Sequence, residues 1–440
     1  MTGAPSSAAP VRVAVLGCGN VGASLVDMIL TRRDGIAVRS GVTLELAGVA
    51  VHDLGRPRAV DVPEGLLTDD AKELVTREGV DVVVELIGGL DPARAFVEAA
   101  LRAGRPVVTA NKTLLADAGA ELASLAAANG VDLLYEAAVA GAIPVIRPLR
   151  ESLVGERVTR VMGIVNGTTN FILTRMAEDG SDYEDALAEA QRLGLAERDP
   201  SADVGGADAA AKVAILAGLA FGADLVAADV PREGITGVRA SDVAFADRLG
   251  YVVKLLAVAE EVDGGPDISV RVHPAMVPRS HPLAAVRGAF NAVFVEGEAA
   301  GELMLYGRGA GGRPTASAVL GDLIDAARNL RQGSPAPAPR RTPGAALRPL
   351  AELRSAFYLS LDVADQPGVL AQVATVFGDH GVSIRVMEQV GLGDEARLIF
   401  LTHVAREGDV QATIAELGDL PAVDRVGGVL RVIGPEDGAA

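Results

Sequence analysis

The apolar run VRVAVL (11–16) passes directly into GCGNVG (17–22) and then into a segment whose Val21, Leu25, Met28 and Ile29 share one helical face. A strand that turns through glycines straight into a helix is compatible with few folds. Gly17 permits the tight turn, Gly19 leaves room for a pyrophosphate to approach the backbone, and Gly22 allows close packing of helix on strand. The helix start at Asn20 and Val21 then offers unpaired N–H groups to an anion. Together with the strand and helix units downstream of it, the pattern predicts a dinucleotide site.

From residue 11 to 136 the pattern repeats. A helix over Asn20 to Arg33, the strand LELAGVAV, a helix near 69–78, the strand VDVVVELI, a helix over 91–103, the strand PVVTA, a helix over 113–129 and the strand VDLLYE come in turn. Continuous apolar strands separated by amphipathic helices make a parallel sheet covered on both faces. The fold class expected is α/β, with a Rossmann-type doubly wound nucleotide-binding domain over 11–136.

The second strand ends at Ala50 with no acid at its tip for a ribose 2′-hydroxyl, whereas Arg56, Arg58 and Lys112 are candidates for a 2′-phosphate. This favours NADP, with NAD left open because Asp53 is near. Ile87-Gly88-Gly89 and Thr109-Ala110-Asn111-Lys112 fall at strand ends, where open α/β sheets bind ligands. Cys18 reads as a small residue in a tight turn.

Residues 137–312 place helices at 182–194 and 206–222 before strands at 251–260, 268–276 and 291–298, an α+β pattern expected to form a catalytic and dimerisation domain. A helix over 313–331 comes next and completes the nucleotide domain. The Pro- and Ala-rich stretch 332–352 reads as a tether. Residues 353–436 have the order βαββαβ, a compact unit expected to fold as a separate lobe, so that a chain ended near Gln332 would stay active.

Composition narrows the partners. With 40 basic against 58 acidic side chains the net charge is −18, which repels phosphate backbones and anionic lipid, so neither nucleic acid nor membrane is expected as a partner. A single cysteine excludes an internal disulfide and fits a reducing cytoplasm. Residues 1–10 lack a basic region and apolar core and read as a disordered leader, not a signal peptide.

ERDPSADVGGADAAAKVAIL (197–216) puts acids and one lysine into an otherwise apolar helix. Asp208 and Lys212, at i and i+4, share a helix face, with Glu197 and Asp203 on the segment before it. Asp203 as a helix cap and Asp208 with Lys212 as an exposed ion pair are the plain alternatives. Reduction of an aldehyde, by contrast, needs carboxylates for a substrate ammonium and a cation that delivers a proton to the developing alkoxide. Burial lowers a lysine's pKa and adjacent carboxylates raise it, a balance suited to such a donor.

GCGNVG, VVVELIGG (82–89), TANK (109–112), YEAAVAGAIPVI (135–146), NGTTNFIL (166–173), the 197–216 stretch and YGRGAGGRPTASAV (306–319) together resemble homoserine dehydrogenases. The tail, with LDVADQPGVLAQVATVFGDHGVSI (361–384), resembles an ACT domain. The resemblance implies reversible nicotinamide-dependent reduction of L-aspartate 4-semialdehyde to L-homoserine. It casts Lys212 as proton donor with Asp208 as its catalytic partner, Glu197 and Asp208 as substrate holders, and Asp203 as shaping the pocket. The cofactor contacts it implies are Gly17, Gly19, Asn20, Val21, Gly22, Ala50, Lys112, Gly194, Gly309 and Gly311. A monovalent cation, Na⁺ or K⁺, would sit on Glu136 and the carbonyls of Val139, Gly141 and Ile143.

In the ACT-like unit, the turn and helix start at Asp365, Gly368, Val369 and Leu370 would take an amino-acid effector, with threonine the natural candidate and a purely structural pairing lobe the alternative. A homodimer or homotetramer is expected. Two other functions stay open: an amino-acid-sensing nucleotide-binding protein without turnover, and a dehydrogenase of another small amino-acid aldehyde or keto acid.

Overall fold

The computed structural model describes residues 9–337, 342, 346–391 and 395–434, so most of the expected leader and part of the tether lie outside the described residues. Its elements in chain order begin β1 (Val11–Leu16), α1 (Asn20–Thr31), α2 (Arg33–Ser40), β2 (Leu44–Ala50), β3 (Leu67–Thr68), α3 (Ala71–Thr76), β4 (Val82–Glu85), α4 (Ala93–Arg102), β5 (Val107–Thr109), α5 (Lys112–Ala128) and β6 (Leu133–Leu134). Then come β7 (Val158–Ile164), α6 (Gly167–Asp179), α7 (Tyr183–Arg192), α8 (Ser201–Val204), α9 (Ala207–Phe221), α10 (Ala240–Arg248), β8 (Tyr251–Glu261), β9 (Ile268–Pro278), β10 (Phe290–Gly297), β11 (Gly301–Arg308) and α11 (Gly312–Gln332). The tail adds β12 (Arg354–Ala364), α12 (Val369–Asp379), β13 (Ile384–Gly391), β14 (Glu395–Thr402), β15 (Ala405–Arg406), α13 (Glu407–Asp419) and β16 (Val423–Val432).

Contacts divide the chain into two units, the first made of Met1–Glu156, Ala214–Ala227 and Leu305–Arg341. Its six-stranded sheet has the order β3-β2-β1-β4-β5-β6, all parallel, the order of a doubly wound dinucleotide-binding sheet. The sheet's Val13, Val15, Val82, Val84 and Val108 are buried against Leu25, Val26 and Ile29 of α1 and Val319 and Leu323 of α11. With aromatics at only 3% of the chain, β-branched and Leu side chains fill this core, and its helices lie close to the strands.

The second unit comprises Arg157–Val213, Ala228–Met304 and Thr342–Ala440. Its strands fall in one sheet of order β11-β10-β7-β8-β9-β16-β12-β14-β13. Met162, Leu256, Val258 and Phe294 core its first half, and Phe357, Leu359, Val373, Phe377 and Phe400 core the tail. The tail has the expected βαββαβ order, yet it is not a separate lobe. Its last strand runs parallel to β9, pairing Arg431 with Ala275 and Val432 with Met276, and Ile433 N donates to Met276 O at 2.9 Å. A chain ended near Gln332 would lose this pairing and expose the stretch of β9 around Ala275 and Met276. Among the described residues no helix is long and apolar enough to cross a membrane.

Candidate active site

Lys212 and Asp208 both lie in α9, and both are buried, at 9% and 8% exposure. Lys212 Nζ donates to Asp208 Oδ2 at 2.7 Å and to Val165 O at 2.6 Å. The exposed-pair alternative therefore fails, because a surface pair would not be desolvated and bonded to a strand-end carbonyl. An ammonium has three donors. Two are occupied, and among the described residues no acceptor takes the third.

Asn166, the N-cap of α6, ties the acids together. Its Nδ2 donates to Asp203 Oδ1 at 2.7 Å and to Asp208 Oδ2 at 2.9 Å, while its Oδ1 accepts from Thr169 N at 2.9 Å. With both ends of the amide engaged, its orientation is fixed. Asp203 is thus held in the cluster and does not serve merely as a cap. Glu197 is exposed, and no hydrogen bond joins its carboxylate to this network. The structure brings together Asp203, Asp208 and Lys212, and adds Asn166, which sequence reasoning passed over although NGTTNFIL places an Asn at a helix start.

Two glycines make this geometry possible. Gly206 has φ +81°, a left-handed turn that separates α8 from α9 and lets Asp203 and Asp208 face the same amide. A Cβ there would meet Val272 Cγ1 at 3.2 Å. The second, Gly234, belongs to the segment 231–235 that backs the turn: Ile235 N donates to Val204 O at 2.9 Å and Glu233 N to Val272 O at 2.8 Å.

In the first unit, Gly17, Gly19, Asn20 and Ala50 line a cavity of about 870 Å³ that also takes in Arg56 and Arg58. Gly17 has φ +95°. A Cβ on Gly22 would stand 2.1 Å from Gly17 O, whereas one on Gly19 would meet nothing within 4 Å, so Gly22 closes the turn and Gly19 opens on the cavity. The residues present fit a dinucleotide: a glycine cradle, a helix start and an open floor. Burial pushes the Cys18 thiol up against the opposing pull of Arg58, which suits an inert packing residue.

Arg58 folds back on its own loop, donating to the carbonyls of Arg56 at 2.7 Å, Leu54 at 3.2 Å and Asp53. Asp53 in turn accepts from Gly55 N. Lys112 starts α5 after β5, three strand positions from β2 or ~14 Å across the sheet. At the same strand ends, the fully buried Glu85 accepts from Ile87 N, Gly88 N and Thr109 Oγ1 at 2.7, 3.0 and 2.6 Å, and so shapes both loops. Its role was not read from VVVELIGG, where it passes for the last residue of a strand.

Glu136 is buried and accepts from three backbone N–H groups, Val145 and Ile146 on Oε1 at 2.6 and 2.7 Å and Arg147 on Oε2 at 2.9 Å. Val139 and Ile143 are buried in the loop this carboxylate organises, and Ala140 and Gly141 adopt φ of 55° and 59°. A Cβ on Gly141 would come 2.3 Å from Gly309 O, and Gly311, at φ 125°, caps α11. Asp322 accepts from Glu136 N at 2.6 Å, and burial pushes its carboxyl up to about 7. Among the described residues no three His, Cys, Asp or Glu side chains converge as a metal site, so a cation here would rest on one carboxylate and carbonyls. That is a hard-oxygen set, which suits Na⁺ or K⁺.

Gly194, at φ +71°, ends α7 in the second unit. In the tail, Gly368 caps α12 at φ +94°, and Val369 is buried in the core with its N–H given to Gln366 O. Leu370 and Ala371 keep first-turn N–H groups without intrahelical partners. Asp365 Oδ1 accepts from Gln389 Nε2 at 3.4 Å.

Known proteins agree with this architecture. The chain matches the descriptions "Homoserine dehydrogenase, NAD binding domain" over residues 17–136, "Homoserine dehydrogenase" over 144–324 and "ACT domain" over 357–422. Homoserine dehydrogenase of Corynebacterium glutamicum is 50% identical over 431 residues, which is 97% of this chain and 96% of that protein. The crystal structure of a homoserine dehydrogenase from Thiobacillus denitrificans has a TM-score of 0.91 at 40% identity, over 97% of this chain and 98% of that one. A hyperthermophilic archaeal homoserine dehydrogenase in complex with NADPH has a TM-score of 0.59 at 29% identity, over 73% of this chain and 98% of that one. With a buried lysine and carboxylate cluster, a dinucleotide sheet and this likeness along nearly its whole length, the chain belongs to the homoserine dehydrogenase family and carries a C-terminal ACT domain.

Proposed function

We propose that the protein catalyses the reversible, NADP-dependent reduction of L-aspartate 4-semialdehyde to L-homoserine with Lys212 as the proton donor. The observation that carries this reading is the buried Lys212 ammonium, held by Asp208 and Val165 O with one donor left for a substrate oxygen. When bound, the nicotinamide supplies or accepts the hydride. Lys212 then gives its third proton to the oxygen of the aldehyde as negative charge develops there, and takes it back from the homoserine hydroxyl in the reverse direction. Asp208 and Val165 O keep Nζ in place through both, so the donor does not have to reorganise. Glu197 and Asp208 grip the substrate's ammonium, and Asp203 supports Asp208 through Asn166.

The cofactor preference rests on Arg56 and Arg58 in the wall of the nucleotide cavity beyond Ala50, and the archaeal relative binds NADPH. Lys112, after β5 at the same C-terminal strand ends, serves the reacting half of the site. Glu136 with the carbonyls of Val139, Gly141 and Ile143 would hold a monovalent cation that stiffens the loop. In the ACT domain, the start of α12 at Gly368, with the N–H of Leu370, takes the carboxylate of an amino-acid effector, and threonine is the one we propose. The working form is a homodimer or homotetramer in the cytoplasm. Titration of L-homoserine oxidation with NADP⁺ and NAD⁺ side by side tests the cofactor reading: a lower KM for NADP⁺ is expected, and a preference for NAD⁺ would overturn it.

A further inference from the structure

Arg431 is an arginine placed where arginines are costly. It lies in β16, on the last strand of the ACT domain, with its side chain 3% exposed. A guanidinium out of water must be paired on every edge to be tolerated. One edge is met inside the ACT domain: Nε and Nη2 donate to Glu407 at 2.9 and 2.6 Å, and Glu407, the first residue of α13, is itself 3% exposed. That pair is already neutral. The other edge leaves the domain, with Nη1 and Nη2 donating to the two oxygens of Glu233 at 3.0 and 2.7 Å. Glu233 is 42% exposed, so this second, bidentate bond answers to the burial of Arg431 and not to that of Glu233.

The site of Glu233 gives the bond its meaning. Glu233 N donates to Val272 O and Val272 N to Pro231 O, which fastens the segment to β9. The next residue, Gly234, lies so close to the turn before α9 that a Cβ would stand 2.1 Å from Val204 O and 2.7 Å from Gly205 Cα. Ile235 N then donates to Val204 O at 2.9 Å. Asp203 precedes this contact and Asp208 comes after it, and both are bound by Asn166. From Arg431 to the carboxylates there is thus a short chain of direct contacts, each one backbone or bidentate, and rigid bonds of that kind transmit position.

We propose that Arg431 and Glu233 are positioning residues for the dehydrogenase reaction, through which the last strand of the ACT domain sets the turn carrying Asp203 and Asp208. The proposal rests on reading those acids as substrate-holding. It makes the ACT domain a structural part of the substrate site in addition to any effector it binds. Reacting groups are sensitive to such placement, since a displacement of about 1 Å can cost on the order of 100-fold.

Glu233 is the residue to change, because Arg431→Ala would strand Glu407 buried and unpaired. In the full-length chain, Glu233→Ala leaves the neutral Arg431–Glu407 pair intact. We expect it to raise the KM for L-homoserine roughly five- to tenfold with the cofactor KM within about twofold of the parent, a split that a general loss of stability does not produce. Glu233→Gln, which keeps one acceptor oxygen, should fall between. A homoserine KM within about twofold of the parent in both variants, or a parallel rise in both KM values, would overturn the proposal. Asp208→Asn is measured alongside. Unaltered homoserine kinetics in Asp208→Asn would overturn the reading of the site itself, while a crippled Asp208→Asn beside an unaffected Glu233→Ala overturns only the positioning role.

Discussion

Replacing Gly234 by alanine tests how tightly the substrate turn is fixed. The added Cβ would lie 2.1 Å from Val204 O, 2.7 Å from Gly205 Cα and 3.0 Å from Val204 C, all backbone atoms that cannot rotate away. To bring the first contact even to 3.0 Å, the two segments must part by about 0.9 Å. Gly234 is not among the glycines of positive φ, so the effect is steric and free of backbone strain. Overpacking of this kind costs about 1–3 kcal/mol of stability. A shift near 1 Å at Val204 and Gly205 carries Asp203 with it, and should lower kcat/KM for L-homoserine by roughly 10- to 100-fold. Gly237→Ala is the matched control, since a Cβ there meets nothing within 4 Å. Initial rates of homoserine oxidation at saturating cofactor, with thermal midpoints for both variants, decide the matter. Parent-like kinetics in a folded Gly234→Ala enzyme would refute the claim that this contact sets the site.

Two further outcomes concern buried groups. Burial, aided by Arg287, pushes the Lys254 ammonium down to about 8 from its usual 10.5, while it donates to Asn170 Oδ1 at 2.9 Å and to Val286 O. Between those values the unfolded chain binds more protons than the folded one, so this lysine's contribution grows as pH rises from about 8 to 10.5 and is lost as pH falls, by at most ~3 kcal/mol. Lys254→Met should lack that gain, seen as a thermal midpoint that falls further behind the parent at pH 10 than at pH 7.5; a gap that does not widen would contradict it. In the phosphate loop, Gly22→Ala drives a Cβ to 2.1 Å from Gly17 O and should abolish cofactor binding by fluorescence titration, whereas retained affinity would mean the loop is not the cradle.

Much of the fold was legible because its periodicities were strong. The parallel strands of the first unit are apolar runs without polar interruption, and the glycine loop stood between a strand and a helix, so order and boundaries came out within a few residues. The short α2, with Ile36 as its one buried residue, gives too faint a stripe to read. The strand β7 and the helices α6 and α10 were missed because α6 is buried nearly all round, so no polar face marks it, and β7 shows no clean alternation.

The join of β16 to β9 could not be read at all. Parallel pairing between strands far apart in sequence leaves no local signal, and Arg431 looks like any surface arginine until the structure buries it. At the site, Asp203, Asp208 and Lys212 were visible as charges breaking an apolar run. Asn166 and Glu85 were not, because their role is to hold other groups, which appears only in three dimensions.

The central claim is that Lys212, fixed by Asp208 and Val165 O, carries the proton. Its most direct test is the steady-state turnover of Lys212→Ala with L-homoserine and NADP⁺, measured beside its cofactor affinity. The structure predicts a kcat lowered by about 10²- to 10⁴-fold with cofactor binding kept, the range for loss of a positioned general acid. Turnover near that of the parent enzyme would contradict it.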